Sequence, residues 1–251
     1  MDKTQISKII LGMVLLQDGI PFDIDTFSSD FLTFYGDNIQ KATGDNSSFA
    51  FSIDGEMIAI AHMPIPVPPG DIEGTAQYAY NWQSSLEEIN EHKTHLIVSV
   101  LQGGQDTIKR FKLFTKIICS LLRTTNSIGI YKGNQSLLIQ KKDYLSEAEL
   151  MTDDYLPLNL WIYFGLQITD KGKSGYTYGL KEFNKTEMEI LDSSKRFEDI
   201  RGFLFNISHY VLDNDVTFQD GQTCGLSEEE KIEISISKGK FVDGDTLKLA
   251  Y

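Results

Sequence analysis

The stretch LNLWIYFGLQITDKGKSGYTYGL, from Leu158 to Leu180, limits the fold of this chain more than any other part of it. In an extended arm, Leu160, Ile162, Phe164, Leu166 and Ile168 fall on one side. Trp161, Tyr163, Gly165 and Gln167 fall on the other, so both sides call for cover. Asp170, Lys171, Gly172 and Lys173 supply a polar turn, and Tyr176 to Leu180 runs back as a second arm. A four-residue loop sets Thr169 opposite Ser174, Tyr178 opposite Gly165 and Gly179 opposite Phe164. Each glycine then meets an aromatic ring, which restores packing where the strand has no side chain. A five-residue loop would reverse the parity. Such a ribbon is expected as an interior scaffold layer.

The rest of the chain alternates strand and helix signals. Ile9 to Leu16 reads as a buried strand, and Ile24 to Tyr35 as a helix with Ile24, Phe27, Phe31 and Phe34 at helical spacing. Phe49, Phe51 and Ile53 lead through Asp54-Gly55, a strong two-residue hairpin signal, to Met57, Ala59 and Ala61. MPIPVPPG, Met63 to Gly70, must be extended and leave the sheet. Tyr78, Trp82, Leu86 and Ile89 predict one helix ending near His92, and His95 to Leu101 a strand buried on both faces. Thr107 to Arg123 is an amphipathic helix capped by Asp106 or Thr107, with Lys109, Lys112, Lys116 and Arg123 on a separate face. Ser127 to Tyr131 and Ser136 to Ile139 form a hairpin. Asp143 to Asp154, with five acids and no base, is a linker or an exposed acidic helix. Beyond the ribbon come a strand at Glu187 to Leu191 and a helix at Phe197 to Leu212. A tight hairpin of Val216 to Phe218 with Thr223 to Leu226 follows, then strands through Ile232 to Ile236 and Leu247 to Leu249.

At 251 residues and 41% hydrophobic content the chain can bury one large core or two modest ones. The formal net charge is -13, shared by both halves: residues 1 to 150 carry 18 acids against 12 bases, residues 151 to 251 carry 18 against 11. That field repels nucleic acid and anionic membrane, and it favours solubility or a cationic partner. Two cysteines, Cys119 within an apolar helix and Cys224, point to a reducing compartment and no disulfide framework. The apolar run Ile9 to Leu16 is too short to span a membrane and has no cleavage pattern after it, so a cytoplasmic location is expected.

Reactive constellations are scarce. There is no G-x-S-x-G elbow, and Cys119 has no base nearby in sequence. Gly172-Lys173-Ser174 resembles the end of a phosphate loop, but Gln167 stands where the leading glycine belongs. His92 and His95 with Glu88 and Glu91 are the one cluster of metal-ligand types, with Glu88 and His92 on one helix face. His62 and His209 are isolated. Gly103-Gly104, between a strand and a helix start and near Lys109 and Arg110, is where an α/β protein would hold an anion. No catalytic, cofactor-binding or metal-binding residue is assigned.

Several stretches resemble the bacterial family catalogued as domain of unknown function 4261. They are LGMVLL, MPIPVP, HKTHLIVSVL, LFTKIICSLL with SIGIY, LWIYFGLQIT, SGYTYGLKEFNKTEMEIL, FLFNISHYVL and DGQTCGLSEE. The resemblance transfers no catalytic residue. It implies a bacterial cytoplasmic protein, loosely associated with toxin-immunity and interbacterial competition.

The expected fold is α+β, mainly antiparallel sheets with helices on their faces, in an N-terminal unit over residues 1–142 and a C-terminal unit over residues 155–251. The expected function is that of a non-enzymatic cytoplasmic binding protein, such as an immunity protein that occludes a basic toxin with its acidic surface. Glu228, Glu229, Glu230, Asp153 and Asp154 are the candidate partner contacts. The alternative is a small-molecule- or metal-binding enzyme with a pocket near Trp82, His92 and His95. The oligomeric state is left open by the sequence.

Overall fold

A computed structural model describes residues 8–82, 85–227 and 231–251. It divides into two compact units, Met1–Met151 and Thr152–Tyr251. The architecture is α+β with antiparallel pairing dominant.

The first unit is built on a sheet of seven strands in the order β2-β3-β4-β5-β1-β6-β7, each neighbour antiparallel. The strands are β1 (Ile10–Leu16), β2 (Gln40–Asp45), β3 (Ser48–Ile53), β4 (Glu56–Met63), β5 (Thr94–Gln102), β6 (Ser127–Lys132) and β7 (Leu137–Gln140). The helices are α1 (Ile24–Tyr35), α2 (Pro69–Ala76), α3 (Ser85–Glu91), α4 (Thr107–Thr124) and α5 (Lys141–Glu149). The apolar run of β1 places it between β5 and β6, where both faces are covered. On one face α4 lies so close that a Cβ on Gly12 would stand 2.9 Å from Phe114 Cζ. Phe111, Phe114, Ile117, Ile118, Leu121 and Leu122 form the buried stripe of α4, and the Asp106 carboxylate caps the helix by accepting from Lys109 N–H at 3.0 Å.

The other face carries a cap made by α2, α3 and the turns between them. Val67, Ile72, Trp82 and Ile89 pack there against Leu15, Ile128, Tyr131 and Leu138. The single helix expected across Tyr78 to Ile89 does not form: Tyr78 to Trp82 is turn and irregular chain after α2, and only Ser85–Glu91, α3, is helical. Breaking the helix lets Ile72, Trp82 and Ile89 all reach one core while Tyr78 and Leu86 face water. Strand β2 was not foreseen. All six of its residues are exposed, so it has no alternation to read, and only pairing with β3 makes it a strand. Asp54 (φ 50°) and Gly55 (φ 85°) turn β3 into β4 as expected of a Asp-Gly hairpin. Acidic helix α5 belongs to this unit and inserts the fully buried Tyr144.

The second unit has six strands in the order β11-β12-β13-β10-β9-β8: β8 (Tyr163–Thr169), β9 (Gly172–Tyr178), β10 (Met188–Ser193), β11 (Thr223–Cys224), β12 (Ile232–Lys238) and β13 (Asp245–Leu249). Only the β10–β13 pair is parallel among the described strands. Helix α6 (Phe197–Asp213) covers one face: a Cβ on Gly175 would lie 2.5 Å from Ile200 Cγ2 and 3.0 Å from Leu204 Cδ1.

The ribbon is the β8–β9 hairpin, with a different register from the one expected. A two-residue turn at Asp170 and Lys171 sets Thr169 opposite Gly172, so every partner slides by two residues and Gly165 faces Tyr176. Because the slide is even, the parity and the glycine-under-ring device both survive. A Cβ on Gly165 would stand 2.1 Å from Tyr176 Cζ. Gly179 drops out of the pairing and starts a 3₁₀ turn, Leu180–Phe183. The tight turn is held from β10: Thr169 Oγ1 donates to Asp192 Oδ1 at 2.5 Å, and Gly172 backs onto the Asp192 carbonyl. The base of the ribbon is interior, with Leu160, Trp161, Ile162 and Phe164 buried, but its tip is not, since Ile168 is 77% exposed. The expected hairpin of Val216 to Phe218 with Thr223 to Leu226 does not form. Thr223 and Cys224 pair with β12 instead, because the Gly221 N–H and the Gln222 carbonyl bond to Ile234.

Candidate functional site

Asp153 and Asp154 are exposed in a turn in which Thr152 N–H donates to the Tyr155 carbonyl at 3.1 Å. Glu228, Glu229 and Glu230 lie outside the described residues. Of the described acids only Glu56, Glu187 and Glu189 are buried, so the negative surplus stands at the surface.

Trp82, His92 and His95 are all buried in the first unit, each 3 to 4% exposed; His92 acts electrostatically on His95, and Trp82 packs in the core that holds Val67 and Ile89. The Trp82 ring lies on the Gly129 backbone, 2.9 Å from where a Cβ would be, and its buried indole N–H has no hydrogen-bond partner among the described residues. Both imidazoles are spent on backbone. His92 Nε2 accepts from Val67 N–H at 2.8 Å and Nδ1 bonds the Ile89 carbonyl, while His95 Nδ1 bonds the Ile65 carbonyl at 2.9 Å. Burial holds both below the usual histidine range, against the pull of those carbonyl bonds, and Lys93 lowers His92 further. Glu88 is half-buried and Glu91 exposed. Among the described residues no group of three His, Cys, Asp or Glu side chains is placed to hold a metal ion.

The remaining sequence candidates are structural too. His62 Nε2 is buried with no hydrogen-bond partner among the described residues, and His209 Nε2 accepts from Leu156 N–H at 3.1 Å. Cys119 is 2% exposed, and burial pushes its thiol up to about 11, so it is a poor nucleophile. The anion position at Gly103-Gly104 is filled from within. Glu56 accepts from Gly104 N–H at 2.6 Å and from Arg110 Nε at 2.9 Å, and a Cβ on Gly103 would lie 2.1 Å from its carboxylate.

Sequence reasoning missed three buried carboxylates. Glu56 falls in phase with Ile58 and Ile60, which is the one signal that could have found it. Glu187 accepts from Thr177 Oγ1 (2.7 Å), Gly179 N–H (2.8 Å) and Lys181 N–H (3.1 Å). Glu189 takes Lys240 N–H, Phe241 N–H, Thr246 Oγ1 and Lys248 Nζ, the last at 2.9 Å. Burial alone would raise the Glu189 pKa, but the Phe241 and Lys240 amides and Lys248 outweigh it and hold the carboxyl below its ordinary range. Beside it in the second unit lies an open depression of about 550 Å³, lined by Asp220, Thr223, Glu233, Ser235 and Lys248 among others. Its lysine is committed to Glu189, so the polar groups left at its wall are carboxylates and hydroxyls.

Among the described residues no helix is long and apolar enough to cross a membrane. No curated protein and no solved structure matches the chain. The model of the family described as Domain of unknown function (DUF4261) matches residues 176–250, so the run from β9 through β13, with Glu187, Glu189, α6 and the open depression, is where this chain resembles that family.

Proposed function

We propose that this chain is a non-enzymatic cytoplasmic binding protein that engages a cationic protein partner through its acidic surface, in the manner of an immunity protein covering a basic toxin. The observation that carries this reading is how the charges are divided. Glu56, Glu187 and Glu189 are buried, while Asp153, Asp154 and Glu233 stand exposed at the surface with much of the surplus. A surface of one sign speeds encounter with a partner of the other and rejects like-charged competitors.

Capture from the native host should recover one dominant basic protein. Its association should slow by roughly tenfold or more between ~50 and ~500 mM salt, and slow again in an Asp153→Lys, Asp154→Lys variant. A partner that is not cationic, or association indifferent to salt, would sink the reading. So would repeated capture with no partner across several growth conditions.

A further inference from the structure

The crossing from β4 to α2 sets a hydrogen-bonding problem that two imidazoles solve. Pro64, Pro66, Pro68 and Pro69 have no N–H, so Ile65 and Val67 carry the only amide protons of residues 64–69. Val67 is 1% exposed, and its N–H must find an acceptor inside the protein. Among the described strands none pairs with residues 64–69 to offer a carbonyl. The acceptor is His92 Nε2 at 2.8 Å, and the ring is oriented by Nδ1 against the Ile89 carbonyl. Two residues back along the crossing, the Ile65 carbonyl accepts from His95 Nδ1 at 2.9 Å. A ring that accepts at Nε2 and donates at Nδ1 is neutral, with its proton on Nδ1.

We propose that His92, backed by His95, is a pH-sensitive latch: neutral, it holds the 64–69 crossing and the α2–α3 cap on the sheet, and protonated, it lets them go. A second proton on His92 has only Nε2 to occupy, where it would face the Val67 N–H. The bond is then lost, a buried amide is left unsatisfied, and a cation sits 4% exposed between the Val67 amide and the Ile89 carbonyl.

The surroundings give that cation little help. Lys93 opposes it, and His95 is opposed in turn by His92 and His62. Asp18 acts on His62, where it opposes the effect of burial. The acids of the packed helices, Asp71, Glu73, Glu87 and Glu91, are exposed, and Glu88 is half-buried. What the latch covers is apolar: opening would bare Leu15, Ile128 and Leu138.

The sign follows from linkage. The closed form holds these histidines below 6.5, and the opened form returns them to that value. Well above 6.5 opening is therefore independent of pH. As pH falls through 6.5 the opened form binds the extra proton, and the opening equilibrium rises about tenfold per pH unit for each histidine until the closed-state value is reached.

Hydrogen exchange of the Val67 and α2 amides, corrected for intrinsic rates, tests this between about pH 7.5 and pH 5.5. Protection should fall about tenfold or more there, with β1 and β5 unchanged. His92→Gln supplies a carbonyl acceptor that does not titrate, and it should remove most of the pH dependence. Should that variant fail to fold, imidazole nitrogen shifts of the unaltered protein decide the matter. The Nδ1–H tautomer titrating below 6.5 supports the latch; the Nε2–H tautomer, titration at or above 6.5, or pH-independent cap protection overturns it.

Discussion

Glu56 shows how one side chain can occupy a place that elsewhere belongs to a ligand. It leaves the Asp54-Gly55 turn pointing inward, in phase with Ile58 and Ile60, and meets the start of α4. There Gly104 N–H and Arg110 Nε take its two oxygens, while Arg110 also reaches the Lys8 and Val100 carbonyls. The guanidinium is 2% exposed, so removing the carboxylate would strand a buried charge. Glu56→Ala is expected to cost about 3–5 kcal/mol in denaturant unfolding, and the double variant Glu56→Ala, Arg110→Met less than that single change. Equal or greater loss in the double variant would show that the pair is not the source of the stability. The sequence left these glycines as an ordinary loop or a weak candidate for an anion position, and the carboxylate of residue 56 lies against them.

Among the elements, the β8–β9 hairpin carries the tightest packing rule. Tyr176 cannot swing clear of Gly165, because its ring stacks on Phe241 at 5.1 Å and meets Tyr163 edge-on at 6.1 Å. Gly165→Ala should therefore destabilise the second unit by about 1–3 kcal/mol, and most of that penalty should vanish in a Tyr176→Ala background. Additive effects of the two changes would mean that the register differs from Gly165 opposite Tyr176. The same device recurs in the first unit, where Trp82 lies on Gly129 and Phe114 on Gly12. Charged faces are resolved at this scale too. Of the basic face of α4, Lys116 pairs with Asp37 at 2.8 Å and Arg123 with Asp30 at 2.6 Å, tying α4 to α1 and the turn after it.

At the scale of the molecule, each unit has its own sheet and its own buried residues, and the chain passes from one to the other at 151–152. Thr152, Asp153 and Asp154 are exposed there. A protease that cuts after acidic residues is expected to cut first at Asp153 or Asp154 in this turn, and the released fragment 155–251 to unfold cooperatively by itself, as domains with complete cores do. A fragment that is soluble but shows no cooperative transition would mean that its core is incomplete.

Local patterns in the sequence decided most elements of the fold. Unbroken apolar runs marked β1 and β5, helical periodicity marked α1, α4 and α6, and Asp54-Gly55 marked its turn, because a strand covered on both faces needs apolar residues throughout, a helix buried on one face repeats, and a left-handed turn demands particular residues. Strand β2, the break between α2 and α3, the pairing of β11 with β12 and the two-residue slide of the hairpin had no such mark. Each depends on what a distant segment offers: a strand edge, a shared core, an open carbonyl, the backbone of Asp192. The same division holds for the polar groups. The sequence showed that Glu56, Glu189 and His92 were present, but their work is set by bonds to residues 48, 52 and 25 positions away, and only the folded chain brings those partners within reach.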